Sequence, residues 1–149
     1  MYGLCGCECN GCEMLVSKKC LGCKESKGCP LGKKCWIYNY IDIGNIDNFN
    51  ELKKELVKEI NSLKIDGMPK IDDLFPLHGS FVNLEYNISN NKIKFLDDNE
   101  IYLGNQVECL FNDNDVKRCF GIVCNMNFII ISEYGEDGSN PELILFKKR

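Results

Sequence analysis

The chain has 149 residues, 44% of them hydrophobic and 27% charged, and a formal net charge of −4; this is the balance of a folded protein with room for one compact domain and a small appendix, and it excludes a disordered chain. No opening segment joins a basic start, an apolar stretch and a small-residue cleavage site, and the longest purely aliphatic run, Ile129–Ile131, is far too short to span a bilayer. A cytoplasmic protein with no membrane segment is expected, and an odd count of eleven cysteines favours thiolate–metal chemistry in a reducing compartment over a secreted disulfide framework.

Eight of the eleven cysteines fall between Cys5 and Cys35, spaced C-x-C-x-C-x2-C-x7-C-x2-C-x5-C-x5-C. Two steps, Cys9-Asn10-Gly11-Cys12 and Cys20-Leu21-Gly22-Cys23, are C-x2-C turns with glycine third. Four-coordinate zinc, with Zn–S bonds of about 2.3 Å, needs sulfurs roughly 3.8 Å apart. A tight turn brings two cysteines three apart onto one point, and glycine adopts the positive φ that such a turn often requires at no steric cost. On an extended segment Cys5, Cys7 and Cys9 would instead step by about 6.6 Å along one side, so the chain bends there or two metals share the run. The candidate metal ligands are Cys5, Cys7, Cys9, Cys12, Cys20, Cys23, Cys29 and Cys35.

Residues 1–40 carry six lysines and three acids, for +3, whereas residues 41–149 sum to −7. Read naively, the Cys-rich segment is a basic footprint for nucleic acid. Two dications and eight thiolates, or two oxidised four-iron clusters on the same ligands, take that segment from +3 to −1. The lysines then read as compensation for thiolates, and the net charge disfavours nucleic acid.

The start, Cys5-Gly6-x-x-Cys9-x-x-Cys12, followed by Cys20-x-Gly22-Cys23, Cys29 and Cys35, resembles a small cysteine-rich family of unknown function found in many anaerobic bacteria and archaea, whose N-terminal domain opens C-G-x2-C-x2-C. The resemblance covers about the first quarter of the chain and implies a metal-binding module, usually presumed to hold zinc, with no assigned activity. It marks Cys5, Cys9, Cys12, Cys20, Cys23, Cys29 and Cys35; Cys7 is additional, and the closing C-x2-C of such modules is absent, no cysteine following Cys35 before Cys109.

Further along, Trp36-Ile37-Tyr38-Asn39-Tyr40 reads as a packed joint, and residues 41–48, rich in Asn, Asp and Gly, as the boundary between a metal module over 1–40 and a domain over 41–149. A helix is predicted over Phe49–Leu63, with Asn48 and Glu51 as capping pair and Phe49, Leu52, Leu56, Val57, Ile60 and Leu63 on one stripe. Asp66-Gly67-Met68-Pro69 is expected to end it. Alternation then predicts strands at Phe81–Tyr86, Lys92–Phe95, Ile101–Leu103, Cys119–Cys124, Phe128–Tyr134 and Leu143–Phe146, joined by short polar turns. The expected class is α+β: a Cys-rich, metal-stapled module, then one helix on a mainly antiparallel sheet of five or six strands.

His78 is the lone histidine, and Cys109, Cys119 and Cys124 sit among apolar neighbours; core thiols are the favoured reading over a Cys–His pair. Cys119 and Cys124, an odd number apart, would face opposite sides of a strand. The acidic clusters at Asp72-Asp73, Asp97-Asp98 and Glu133–Asp137 do not match a calcium loop, no nucleotide-binding or hydrolase motif occurs, and no catalytic residue is assigned.

Three functions are weighed. The first is a protein with two all-cysteine structural Zn2+ sites supporting a module that binds a protein partner. The second is an iron–sulfur protein with one or two [4Fe-4S] clusters for electron transfer or redox sensing, with Cys29-Pro30 similar to the end of a ferredoxin motif but the ferredoxin spacing absent. The third is a zinc module that binds nucleic acid through Lys18, Lys19, Lys24, Lys27, Lys33 and Lys34 with Trp36 and Tyr38. Thiol redox chemistry and metal storage share the remainder.

Overall fold

The computed structural model describes residues 13–23, 26–28, 35–79, 85–94, 96–97, 100–111, 117–135 and 141–149. Helix α1 is a single turn, Glu13–Val16, and helix α2 runs Trp36–Ser62. Among the described residues seven strands follow: β1 (Phe75–His78), β2 (Glu85–Ile88), β3 (Asn91–Lys94), β4 (Ile101–Phe111), β5 (Lys117–Cys124), β6 (Phe128–Gly135) and β7 (Glu142–Lys148).

The predicted helix is present but begins thirteen residues earlier than expected, because residues 36–48 are helical as well. Its continuity is broken at Asn45, whose φ of 69° and ψ of 170° lie outside the helical region. The Asn45 side-chain oxygen accepts from the backbone N–H of Asp47 at 2.9 Å and of Asn48 at 3.2 Å. Asn45 is thus the N-cap of the second half, a role the sequence suggested for Asn48; asparagine both tolerates positive φ and satisfies the orphan amides of a helix start. The helix stops before the expected Asp66–Pro69 turn, at Lys64, which adopts φ 51° directly after the C-cap Leu63.

The apolar stripe faces inward as predicted. Phe49, Leu52, Leu56 and Ile60 are buried, joined from the first half by Ile37 and Ile41, with Val57 and Leu63 partly covered. Complete burial of a side chain such as Leu56 or Ile60 contributes roughly 1.5–3 kcal/mol, which is what holds α2 to its neighbour.

That neighbour is a five-stranded sheet in the order β1-β4-β5-β6-β7 with every pairing antiparallel. β2 and β3 form a separate hairpin. Its two-residue turn, Ser89-Asn90, has φ 48° and 67°, the left-handed pair that matches strand twist. The chain is therefore α+β, as expected. Predicted strand positions 92–94, 101–103, 119–124, 128–134 and 143–146 are strand, and β4 continues eight residues beyond its expected end; of the predicted Phe81–Tyr86 strand, only residues 85 and 86 are described.

β1 was not anticipated, because Pro76 lies within it. Proline lacks the N–H that a central strand must donate and is confined to sheet edges, and among the described residues β1 is an edge, paired with β4 alone through Phe75↔Gly104 to His78↔Ile101.

The two faces of the sheet carry separate clusters. Leu103, Phe120, Ile122, Cys124, Ile129 and Ile131 pack with α2. On the other face Tyr102, Val123 and Ile130 form a smaller cluster with Leu96. The 63–74 connection is pinned to α2 by Asn61, whose side chain donates to Ile71 O at 3.0 Å and accepts from Ile71 N at 2.9 Å. At the far end Glu59 accepts from Lys147 at 2.8 Å and Arg149 at 2.9 Å, tying the last strand to the helix.

Candidate cysteine site

Within the Cys-rich segment, Cys20-Leu21-Gly22-Cys23 forms a knuckle. Gly22 has φ 81°, the torsion expected of the third residue in such a turn. The Ser26 N–H donates to Gly22 O at 3.2 Å, so the chain coils back over the knuckle.

A second glycine, Gly28, connects Cys23 to Cys35. Its N–H donates to Cys23 O at 3.0 Å and its carbonyl accepts from Cys35 N–H at 2.8 Å. These two bonds place the backbones of two candidate ligands, twelve positions apart, on either side of one residue. Gly28 has φ 91°, and a Cβ there would stand 2.4 Å from Cδ1 of the Tyr38 ring, so the ring of α2 lies directly against the glycine. The sequence singled out Gly11 and Gly22 but not Gly28, which lies outside any C-x2-C step; the only local sign was its place immediately before Cys29.

Cys35 is the N-cap residue of α2 and buried, its side chain making no cap hydrogen bond. Burial pushes its thiol up from the usual range; the nearby N–H groups of Tyr38 and Ile37 act the other way, and Cys23 and Glu100 raise it further. A neutral thiol is therefore favoured there unless a cation compensates the thiolate.

The segment is anchored to the sheet by Trp36, whose Nε1–H donates to Ile101 O at 2.7 Å, and by Ile37, fully buried in the helix-face cluster. The aromatic strip is thus a packed joint, as expected, although helical. Trp36 is hydrogen-bonded to β4 and the Tyr38 ring lies against Gly28, and both side chains are partly buried.

Cys20, Cys23 and Cys35 are thiols. Of the predicted ligands, the structure brings Cys23 and Cys35 together; Cys5, Cys7, Cys9, Cys12 and Cys29 lie outside the described residues. Among the described residues no group of three or more His, Cys, Asp or Glu side chains is arranged to hold a metal ion. The chemistry that is present, soft sulfur donors on a glycine knuckle, fits zinc or an iron–sulfur cluster.

The remaining cysteines divide. Cys124 is a fully buried thiol on the helix face, where burial pushes it up to about 12. Cys119, expected as a core thiol, is instead disulfide-bonded. It lies on the face away from α2, opposite to Cys124, as their odd separation required. His78 sits on edge strand β1 with Nδ1 buried, and burial lowers its basicity.

An open groove of about 620 Å³ runs beside α2, lined by Lys54, Val57, Lys58, Lys64, Lys70 and Asp72 among others. Its lining residues include four lysines against one aspartate. No helix among the described residues is long and apolar enough to cross a membrane.

No protein-family model, no curated protein and no solved structure matches this chain.

Proposed function

We propose that residues 1–40 are a metal-binding module with two all-cysteine structural zinc sites, held by Cys5, Cys7, Cys9, Cys12, Cys20, Cys23, Cys29 and Cys35, and that these sites support the binding of a protein partner in the cytoplasm. The observation that carries this reading is the backbone clamp Cys23–Gly28–Cys35 beside a knuckle whose glycine has φ 81°. Such positive-φ turns orient consecutive thiolates toward one point.

The apolar content of the segment adds support. Val16 is 72% exposed and Leu21 56% exposed, so these two apolar side chains beside the knuckle lie open to solvent rather than in a core. A small segment with few large apolar residues gains from a staple, and a closed thiolate site supplies folding free energy directly. When bound, zinc would neutralise thiolates such as that of Cys35 and fix the loops between them. The chain's own residues do the positioning: Gly22 and Gly28 shape the backbone, while Trp36 and Ile37 fasten the module to the sheet.

Limited proteolysis with trypsin tests the proposal, since Lys18, Lys19, Lys24 and Lys27 lie within the module. Removing metal with a strong chelator is expected to open these sites to cleavage while the sheet resists, and returning zinc is expected to restore protection. Cleavage that does not change with metal content would refute the proposal.

A further inference from the structure

Cys119 is disulfide-bonded, and the strand register bears on which cysteine it meets. β4 and β5 pair as Val107↔Phe120 and then as Leu110↔Arg118, with a bulge between. Two residues of β4, Glu108 and Cys109, therefore stand opposite one residue of β5, Cys119. Leu110 opposes Arg118, which shares its face with Glu133, so the position one residue earlier belongs to the other face. That is the face of Cys119, which pairs with Tyr134 on β6.

Cys20, Cys23, Cys35 and Cys124 are thiols and are excluded. The Cys-rich segment joins the domain at Cys35, in the cluster between α2 and the sheet, whereas Cys119 is on the opposite side and only 1% exposed. Directly opposed residues on antiparallel strands have Cα atoms about 4.5–5.5 Å apart, within the range that a disulfide spans.

We propose that Cys109 is bonded to Cys119, making a cross-strand disulfide in the middle of the sheet that responds to the thiol–disulfide balance of the surroundings independently of the metal module. Formation converts two thiols to one S–S bond and passes two electrons and two protons to a disulfide oxidant, such as oxidised glutathione, which leaves as two thiols. A reducing compartment holds the pair open, so the bond closes only when the ambient balance turns oxidising. The loop it closes is the β4–β5 hairpin itself, and closing it constrains the unfolded chain.

Peptide mapping of the full-length protein after equilibration in glutathione buffers from reducing to oxidising, with alkylation in denaturant, tests this directly. Lys117 and Arg118 lie between the two cysteines, so trypsin separates them unless they are bonded. The expected result is one linked peptide pair containing Cys109 and Cys119 under oxidising conditions, lost on reduction, with a melting temperature about 5–10 °C higher in the linked form. Cys124→Ser should keep the link, and Cys109→Ser should leave Cys119 alkylated as a thiol. Linkage of Cys119 to any cysteine of residues 1–35, or alkylation of both Cys109 and Cys119 across the whole range, would overturn the proposal; both outcomes are read on the unmutated protein.

Discussion

Replacing Gly28 with alanine tests whether the clamp between Cys23 and Cys35 is built on that residue. The substitution meets two separate penalties. At φ 91° an L-residue is strained, at about 1–2 kcal/mol. The added Cβ also falls 2.4, 2.7 and 3.0 Å from three atoms of the Tyr38 ring, so the ring must leave its place against the backbone, an overpacking cost of about 1–3 kcal/mol. Gly67 provides an internal comparison: its φ is 78°, but its Cβ would meet only Phe120 Cζ, at 4.0 Å. Gly67→Ala should therefore show the torsional part alone. The expected outcome in thermal melts is a loss of about 3 kcal/mol for Gly28→Ala, or roughly 6–12 °C at this chain length, against about a third to a half of that for Gly67→Ala. A competition titration with a chromogenic zinc chelator should show weaker metal retention for Gly28→Ala only. Indistinguishable melts and titrations for the two variants would show that neither the ring contact nor the clamp matters.

Asn61→Ala removes both hydrogen bonds to Ile71 at once and should cost about 2–3 kcal/mol in denaturant unfolding; a loss below about 0.5 kcal/mol would mean that the 63–74 connection is held by its apolar contacts alone. The Glu59 carboxyl is held below its usual range by the hydrogen bond from Lys147, with Arg149 adding to it. A depressed carboxylate stabilises the fold above its unfolded value and loses that contribution as pH falls through the folded value. The stability difference between wild type and Glu59→Gln, under about 1 kcal/mol for so exposed a cluster, should be flat near neutrality and diminish as the pH falls below the ordinary carboxylate range; a difference that grows on acidification would contradict the sign. Cys124, buried and pushed up to about 12, should resist a thiol-specific alkylating agent at pH 8 in the native protein and react only in denaturant, and rapid native labelling would place it elsewhere than the core.

The parts of the fold that were legible in the sequence are those governed by a local period. The stripe from Phe49 to Ile60 has one apolar face and one charged face, and the strands from Cys119 to Phe146 alternate between short Asn- and Gly-rich turns, so each could be placed from its own residues. The first half of α2 could not, because Asp42, Gly44, Asn45, Asp47 and Asn48 are weak helix formers. Tertiary burial of Ile37 and Ile41 overrides that preference. β1 was hidden by Pro76, which is permitted only because β4 leaves it at the edge.

Within the site the same division holds. Gly22 is called for by the C-x2-C turn that contains it, whereas Gly28 depends on Tyr38, a residue from the next element. The disulfide at Cys119 is a property of strand register, which a bulge in β4 shifts by one residue, and no spacing along the chain encodes that. Parity alone did separate Cys119 from Cys124.

Whether the cysteines of residues 1–40 hold zinc is tested by elemental analysis for zinc and iron together with a visible absorption spectrum, on protein purified without oxygen. About two zinc per chain, no iron and a colourless solution are expected for two closed thiolate sites. Brown protein with about four or eight iron and matching sulfide would contradict the claim and make the module an iron–sulfur carrier, and protein that retains neither metal would remove the staple on which the account depends.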